Sequence, residues 1–197
     1  MKASYFSAAI EADDNRFLES VNMKVGAYTL DNTTIGVTGA RHVTVTHTSG
    51  DTTDTLGTIT VVGKNLAGQE ITEEFTPVAD DVVTGTKWFA SVTSATGAGW
   101  VIDGSESTED TVEIGYGADT IVAEGTGELR RVIIGTTAAG TITLADAGGT
   151  LGVLKASIVE QSYQFDCDFS GYLQVAIAAA SGVTVVHSPT NPIYAST

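Results

Sequence analysis

Ser162-Tyr-Gln-Phe-Asp-Cys-Asp-Phe169 places Tyr163, Phe165, Cys167 and Phe169 at every second position, with Gln164, Asp166 and Asp168 between them. Successive side chains of a strand point to opposite faces, so this stretch reads as a half-buried β-strand with an apolar inner face and an acidic outer one. A looser version of the pattern recurs in residues 129–134, 141–145, 151–158, 173–179 and 183–187. Upstream, Val43, Val45 and His47 alternate with His42, Thr44 and Thr46. Residues 56–62, 71–76, 87–93, 99–102 and 111–116 supply five further strands. Between the first two of these lies Lys64-Asn-Leu-Ala-Gly-Gln69, a short polar connection with a late glycine, so that pair is expected to form an antiparallel hairpin.

The rest of the composition agrees. The chain has 197 residues with 22 Gly and only 3 Pro, and threonine is its commonest residue, a mixture suited to short strands joined by tight turns. The expected fold class is therefore all-β: two small antiparallel β-sandwich-like domains preceded by an N-terminal arm. Residues 1–34 form the arm, because Phe6, Ala9, Ile10, Phe17, Leu18 and Val21 recur at spacings suited to one or two short helical turns. Residues 35–119 form an acidic domain and 120–188 a second domain, with a linker expected near 119–127. Residues 189–197 form an extended tail, since Pro189 and Pro192 discourage ladder hydrogen bonds. The division also separates charge, with 14 acids and 3 bases in 31–119 against 6 and 3 in 120–197. Unpaired carboxylates are costly to desolvate, so a contact surface is expected from the less charged half or the arm.

The formal net charge of −15 opposes phosphate backbones and anionic lipid surfaces, so neither nucleic acid nor a membrane is an expected partner. The run Val175-Ala-Ile-Ala-Ala-Ala180 is too short to span a bilayer, and Glu11, Asp13 and Asp14 interrupt any signal-like apolar segment at the start. Cys167 is the single cysteine, so no intramolecular disulfide is possible.

No cofactor, metal or catalytic residue is assigned. His47 with Asp51 and Asp54 could orient a serine, but the intervening Thr48-Ser-Gly-Asp-Thr-Thr53 reads as an exposed loop, and Glu73 and Glu74, adjacent in a strand, point apart and read as solvated. Asp103-Gly-Ser-Glu-Ser-Thr-Glu-Asp110 is dense in carboxylates but lacks the ligand order of a calcium loop, and reads as a solvated acidic turn. Asp80-Asp81 is a weaker instance of the same. Arg130 and Arg131 should diverge to opposite faces, one of them available for an interface ion pair. Trp88, Phe89 and Trp100 read as core or interface anchors.

Three stretches, residues 41–48, 57–75 and 84–93, resemble the β-rich modules of tailed-bacteriophage virion proteins. Gly127-Glu-Leu-Arg-Arg-Val-Ile-Ile-Gly-Thr-Thr-Ala-Ala-Gly-Thr-Ile-Thr-Leu-Ala-Asp146 is similar to a small sandwich of phage head auxiliary proteins. The resemblance covers most of residues 35–188 and brings no catalytic motif. It implies a non-enzymatic structural component of the virion, a capsid decoration or head auxiliary protein that binds and stabilises the shell. The implied partners are the major capsid protein or other virion proteins, and copies of the chain itself, as a homo-oligomer with a trimer as first guess. The alternative within the same resemblance is a neck, tail or fibre module that binds a host-surface glycan or protein.

Overall fold

A computed structural model describes residues 1–36, 38–50, 54–102, 109–136, 140–179 and 182–189. Among these there is no helix. Fifteen strands follow in order: β1 Lys2–Phe6, β2 Asp13–Asn22, β3 Gly26–Ala27, β4 Ala40–Thr48, β5 Thr58–Lys64, β6 Glu70–Phe75, β7 Val82–Phe89, β8 Ser91–Ala98, β9 Thr111–Glu124, β10 Gly127–Ile134, β11 Ile142–Asp146, β12 Gly149–Leu154, β13 Ser162–Phe169, β14 Tyr172–Ile177 and β15 Val183–Pro189. The chain divides into two compact units, one of Met1–Ile10, Val37–Gly39 and Asp119–Thr197, the other of Glu11–Gly36 and Ala40–Ala118.

The first unit is a β-sandwich. One sheet has the order β1-β15-β10-β13, and the other runs β12-β11-β14 and ends on the last residues of β9. Every pairing recorded within these sheets is antiparallel. Leu129, Val132, Val183 and Val185 from one sheet meet Ile142, Leu144, Leu173 and Val175 from the other in a single apolar cluster. On β13, Tyr163, Phe165 and Cys167 are half-buried against that cluster, Phe169 is fully buried, and Gln164, Asp166 and Asp168 are exposed, as the alternation requires. At this sheet edge Asp166 adopts φ 44° beside a register shift opposite Arg130, and a charged bulge of this kind discourages strand addition.

The second unit is also a sandwich. The first residues of β9 lie between β2 and β4, β4 carries β7 on its far side, and the facing sheet has the order β3-β8-β5-β6. Val43, Val45, Val112 and Ile114 pack on Ile59, Val61, Phe75 and Val92. The expected β5–β6 hairpin is present from Ile59↔Phe75 to Lys64↔Glu70. Asn65 closes it, its side-chain oxygen accepting from the Ala67 and Gln69 N–H groups at 3.0 and 2.9 Å. The free edges of β6 and β7 are bridged by side chains: Glu73 accepts from Thr86 N–H at 2.6 Å, Thr86 Oγ1–H at 2.9 Å and Lys87 N–H at 3.3 Å. Glu73 is thus a structural bridge where the sequence suggested a solvated carboxylate. Gly85 must lack a side chain, since a Cβ there would meet Glu73 and Phe75.

Four sequence expectations are corrected. Residues 99–102 are not a strand, Val101 making only an isolated bridge with Thr55. Residues 1–34 are not an arm with short helical turns but strands, β1 pairing with β15, β2 with β9 and β3 with β8. The helical spacing arises because β2 buries the adjacent Phe17 and Leu18 across register shifts, which removes the two-residue period. Residues 87–93 are not one strand. Phe89 ends β7, Ser91 begins β8, and Ala90 turns the chain from one sheet to the other, its N–H bonded to Lys64 O at 2.7 Å. Finally, the supposed linker begins inside β9, which runs unbroken to Glu124 before a tight turn at Gly125 (φ 90°). Gly115 fits there because Asp13 and Asp14 backbone atoms occupy the space a Cβ would take. Of the predicted tail, 190–197 lies outside the described residues, and Pro189 closes β15.

Candidate functional site

One end of the second unit collects its chemistry. The antiparallel registers put the end of β4 beside the start of β7, the end of β2 beside the start of β9, and the start of β5 beside the ends of β6 and β8. The connections that leave these strand ends therefore emerge together. His47, on the inner face of β4, is 1% exposed, and so is Asp110, the residue before β9. His47 Nε2 and Asp110 Oδ2 are 3.0 Å apart. His47 Nδ1 accepts from the Asp80 N–H at 3.2 Å, which fixes the proton on Nε2 and makes that atom the donor to Asp110. Asp110 Oδ1 accepts from Gly50 N–H at 2.8 Å, and Asp80 Oδ1 accepts from Ser49 N–H at 2.7 Å.

A histidine next to a carboxylate is also the start of a hydrolytic relay, but a general base needs a free nitrogen facing its substrate. Both ring nitrogens of His47 are engaged, one by backbone and one by Asp110. The arrangement is a buried clamp that ties three connections together. The sequence offered Asp51 and Asp54, across a short loop, as the carboxylates nearest His47. Its partner is instead Asp110, 63 residues away. Residues 51–53 and 103–108 lie outside the described residues, so the acidic-turn reading is reached only at Glu109 and Asp110, and Asp110 is buried in the clamp rather than solvated. Among the described residues no group of three or more His, Cys, Asp or Glu could hold a metal ion.

The same connections carry exposed aliphatic side chains. Val25, Val78, Val82, Val101 and Ile102 are between 45 and 65% exposed, and they are the exposed large apolar side chains of the second unit among the described residues. All five leave from the strand ends just described: Val25 follows β2, Val78 precedes β7, Val82 opens it, and Val101 and Ile102 follow β8. Val101 is held by a two-way backbone bridge to Thr55 at 3.0 Å. Asp54, Asp80, Asp81 and Glu109 belong to the same connections, against the single cation Lys24.

The remaining candidates lie elsewhere. Phe89 and Trp100 are core, and Trp88 stacks on His42 at 3.6 Å between ring centroids, on the outer face of β4 and β7. Arg130 pairs with Glu128 at 2.8 Å. The Cys167 thiol is pushed up by burial and by Asp168, Asp146 and Asp166. Arg41 was not singled out by the sequence. It is buried, lies 4.5 Å over the Tyr116 ring, and donates from Nη1 to Glu11 O and Gly117 O at 2.5 and 3.3 Å. Burial lowers its pKa, with Tyr116 and Asp13 opposing. In the first unit, Thr126, Asp146, Asp168, Phe169 and Ser170 line an open depression of about 430 Å³. Both Asp146 oxygens there are already occupied, by Gly148 and Gly149 N–H and by the Ser170 N–H and hydroxyl. No family model matches the chain, and no curated protein or solved structure shows significant similarity to it.

Proposed function

We propose that this chain is a non-enzymatic structural component of a tailed-bacteriophage particle, a capsid decoration or head auxiliary protein that binds the shell through the loop end of its acidic unit. The phage assignment rests on the resemblance of its strand texture to phage head modules. The docking role is carried by the gathering of Val25, Val78, Val82, Val101 and Ile102 at one end of a single unit. Soluble domains rarely group exposed aliphatic side chains unless something covers them. Carboxylates interleave with these residues, so the complementary surface is a cationic patch of shell protein with aliphatic contacts. A second acidic copy would be repelled here. This moves the expected contact from residues 120–197 or the arm to the more charged unit, because its five exposed aliphatic side chains all belong to connections or strand ends at one end.

A second reading, a glycan-binding neck, tail or fibre module, draws on the outward His42–Trp88 stack. Co-sedimentation with purified capsids of the encoding phage separates them. The intact chain should pellet with capsids, and Val101→Ser with Ile102→Ser should weaken binding by about tenfold or more, the effect of losing roughly 1.4 kcal/mol of apolar contact. Failure of the intact chain to pellet overturns the capsid reading. Binding to a glycan array without capsids, lost in Trp88→Ala, would establish the second.

A further inference from the structure

We propose that His187 is an acid-sensitive latch for strand β1, holding it on β15 while the imidazole is neutral and loosening it on protonation. β1 has a single strand partner, β15, in a register that runs from Lys2↔His187 to Phe6↔Val183. His187 lies at one end of this seam, on the inner face with Val183 and Val185, and is 1% exposed. Among the described residues neither Nδ1 nor Nε2 has a hydrogen-bond partner, and Phe169 stands edge-on to the ring at 6.4 Å.

Charged groups around the ring come from each packed element. From β1 they are Lys2 and the Met1 amino group, both cationic. From β10 the register partner is apolar Leu129, and the flanking Glu128 and Arg130 are paired with each other. From β13, beside Phe169, Asp168 is on the exposed face. An imidazolium would carry two N–H donors into this site, find no acceptor among the described residues, and stand next to Lys2. It would be relieved if β1 left and water entered.

The direction of the pKa agrees: burial first, then Lys2 and the Met1 amino group, hold His187 below its ordinary 6.5. With the docked-state pKa depressed, the undocked state binds more protons between the two values. Docking is therefore fully stable above about pH 6.5 and weakens as pH falls through the lowered value.

Amide hydrogen exchange on the intact chain, expressed as protection factors at about pH 7.5 and about pH 5.5, tests this. Protection of the β1 amides bonded to β15 should fall by several-fold, to at most about tenfold for one imidazole, in the wild type, while His187→Leu should hold it constant within about twofold. Lys2→Gln leaves the imidazole in place and should reduce the acid loss. An NMR titration of the His187 ring gives a readout that needs no folded His187→Leu. Protection that is independent of pH in the wild type, an equal fall in His187→Leu, or a ring titrating at or above 6.5 would overturn the latch.

Discussion

His47 and His187 are both 1% exposed, each on the inner face of its own sandwich, and they differ in what meets the ring nitrogens. Both ring nitrogens of His47 are engaged, by the Asp80 N–H and by Asp110. Neither nitrogen of His187 is, among the described residues. The buried ring is thus a structural tie in one sandwich and a liability in the other, because desolvating a polar atom is offset only where a partner replaces water.

The largest effect should come from breaking the satisfied case. Asp110→Ala removes the acceptor of both the buried His47 Nε2–H and the exposed Gly50 N–H, leaving the imidazole donor buried without a partner, and should destabilise the second unit by about 2–4 kcal/mol. Chemical denaturation followed by tryptophan fluorescence reads this directly, since Trp88 and Trp100 both belong to that unit. A loss under about 1 kcal/mol would mean that the clamp is not formed. The same substitution chemistry should give opposite signs at the two histidines. His47→Leu should destabilise by about 2–3 kcal/mol, whereas His187→Leu near neutral pH should stabilise the first unit by about 1–2 kcal/mol, because it removes unsatisfied polar atoms from an apolar neighbourhood. Equal signs in thermal melts of the two variants would erase the contrast.

That contrast was not legible in the sequence, although much of the fold was. Alternation at Tyr163, Phe165, Cys167 and Phe169 is local, and so is the 64–69 hairpin, so both were readable from neighbouring residues alone. His47 and Asp110 are 63 residues apart and meet only after β4 and β9 pair, and no spacing rule connects them. The parity of His47 with Val43 and Val45 did place its ring on an inner face, which is the one available signal that it needed a buried partner. At His187 the same parity, with Val183 and Val185, carried no sign that the partner would be missing. β2 was hidden by its own irregularity, because adjacent buried Phe17 and Leu18 satisfy no two-residue period. The exposed aliphatics were invisible for a related reason: Val25, Val78 and Val101 are single residues in three separate connections, and only the strand registers bring those connections to one end.

A smaller effect is expected where the two sandwiches secure turns and edges with exposed carboxylates. In the second unit Glu73→Ala should cost about 1 kcal/mol, since Thr86 and Lys87 N–H can turn to water when the acceptor is lost. Exchange at those two amides should rise before any other change in that unit.

The smallest effect belongs to Asp146 in the first unit, and it is a matter of pH. Its carboxylate joins the β11–β12 turn to the β13–β14 turn: Oδ2 takes the Ser170 N–H at 2.8 Å and its hydroxyl at 3.2 Å, and Oδ1 takes the N–H groups of Gly148 and Gly149 at 2.8 and 3.1 Å. The Ser170 amide is the largest of the influences that hold this carboxyl below its ordinary 3.8. A depressed folded-state pKa means that the unfolded chain takes up the proton first on acidification. The stabilisation is therefore present above the ordinary carboxylate range and is lost as pH falls through the lowered value. Because the group is open to solvent, the effect is confined to the two turns and should leave the sandwich core intact. Asp146→Asn keeps an acceptor for one pair of bonds and abolishes the charge, so it should speed amide exchange at Gly148, Gly149 and Ser170 at neutral pH and remove their acid dependence. If those three amides respond to acid identically in the variant and the wild type, Asp146 does not hold the turns.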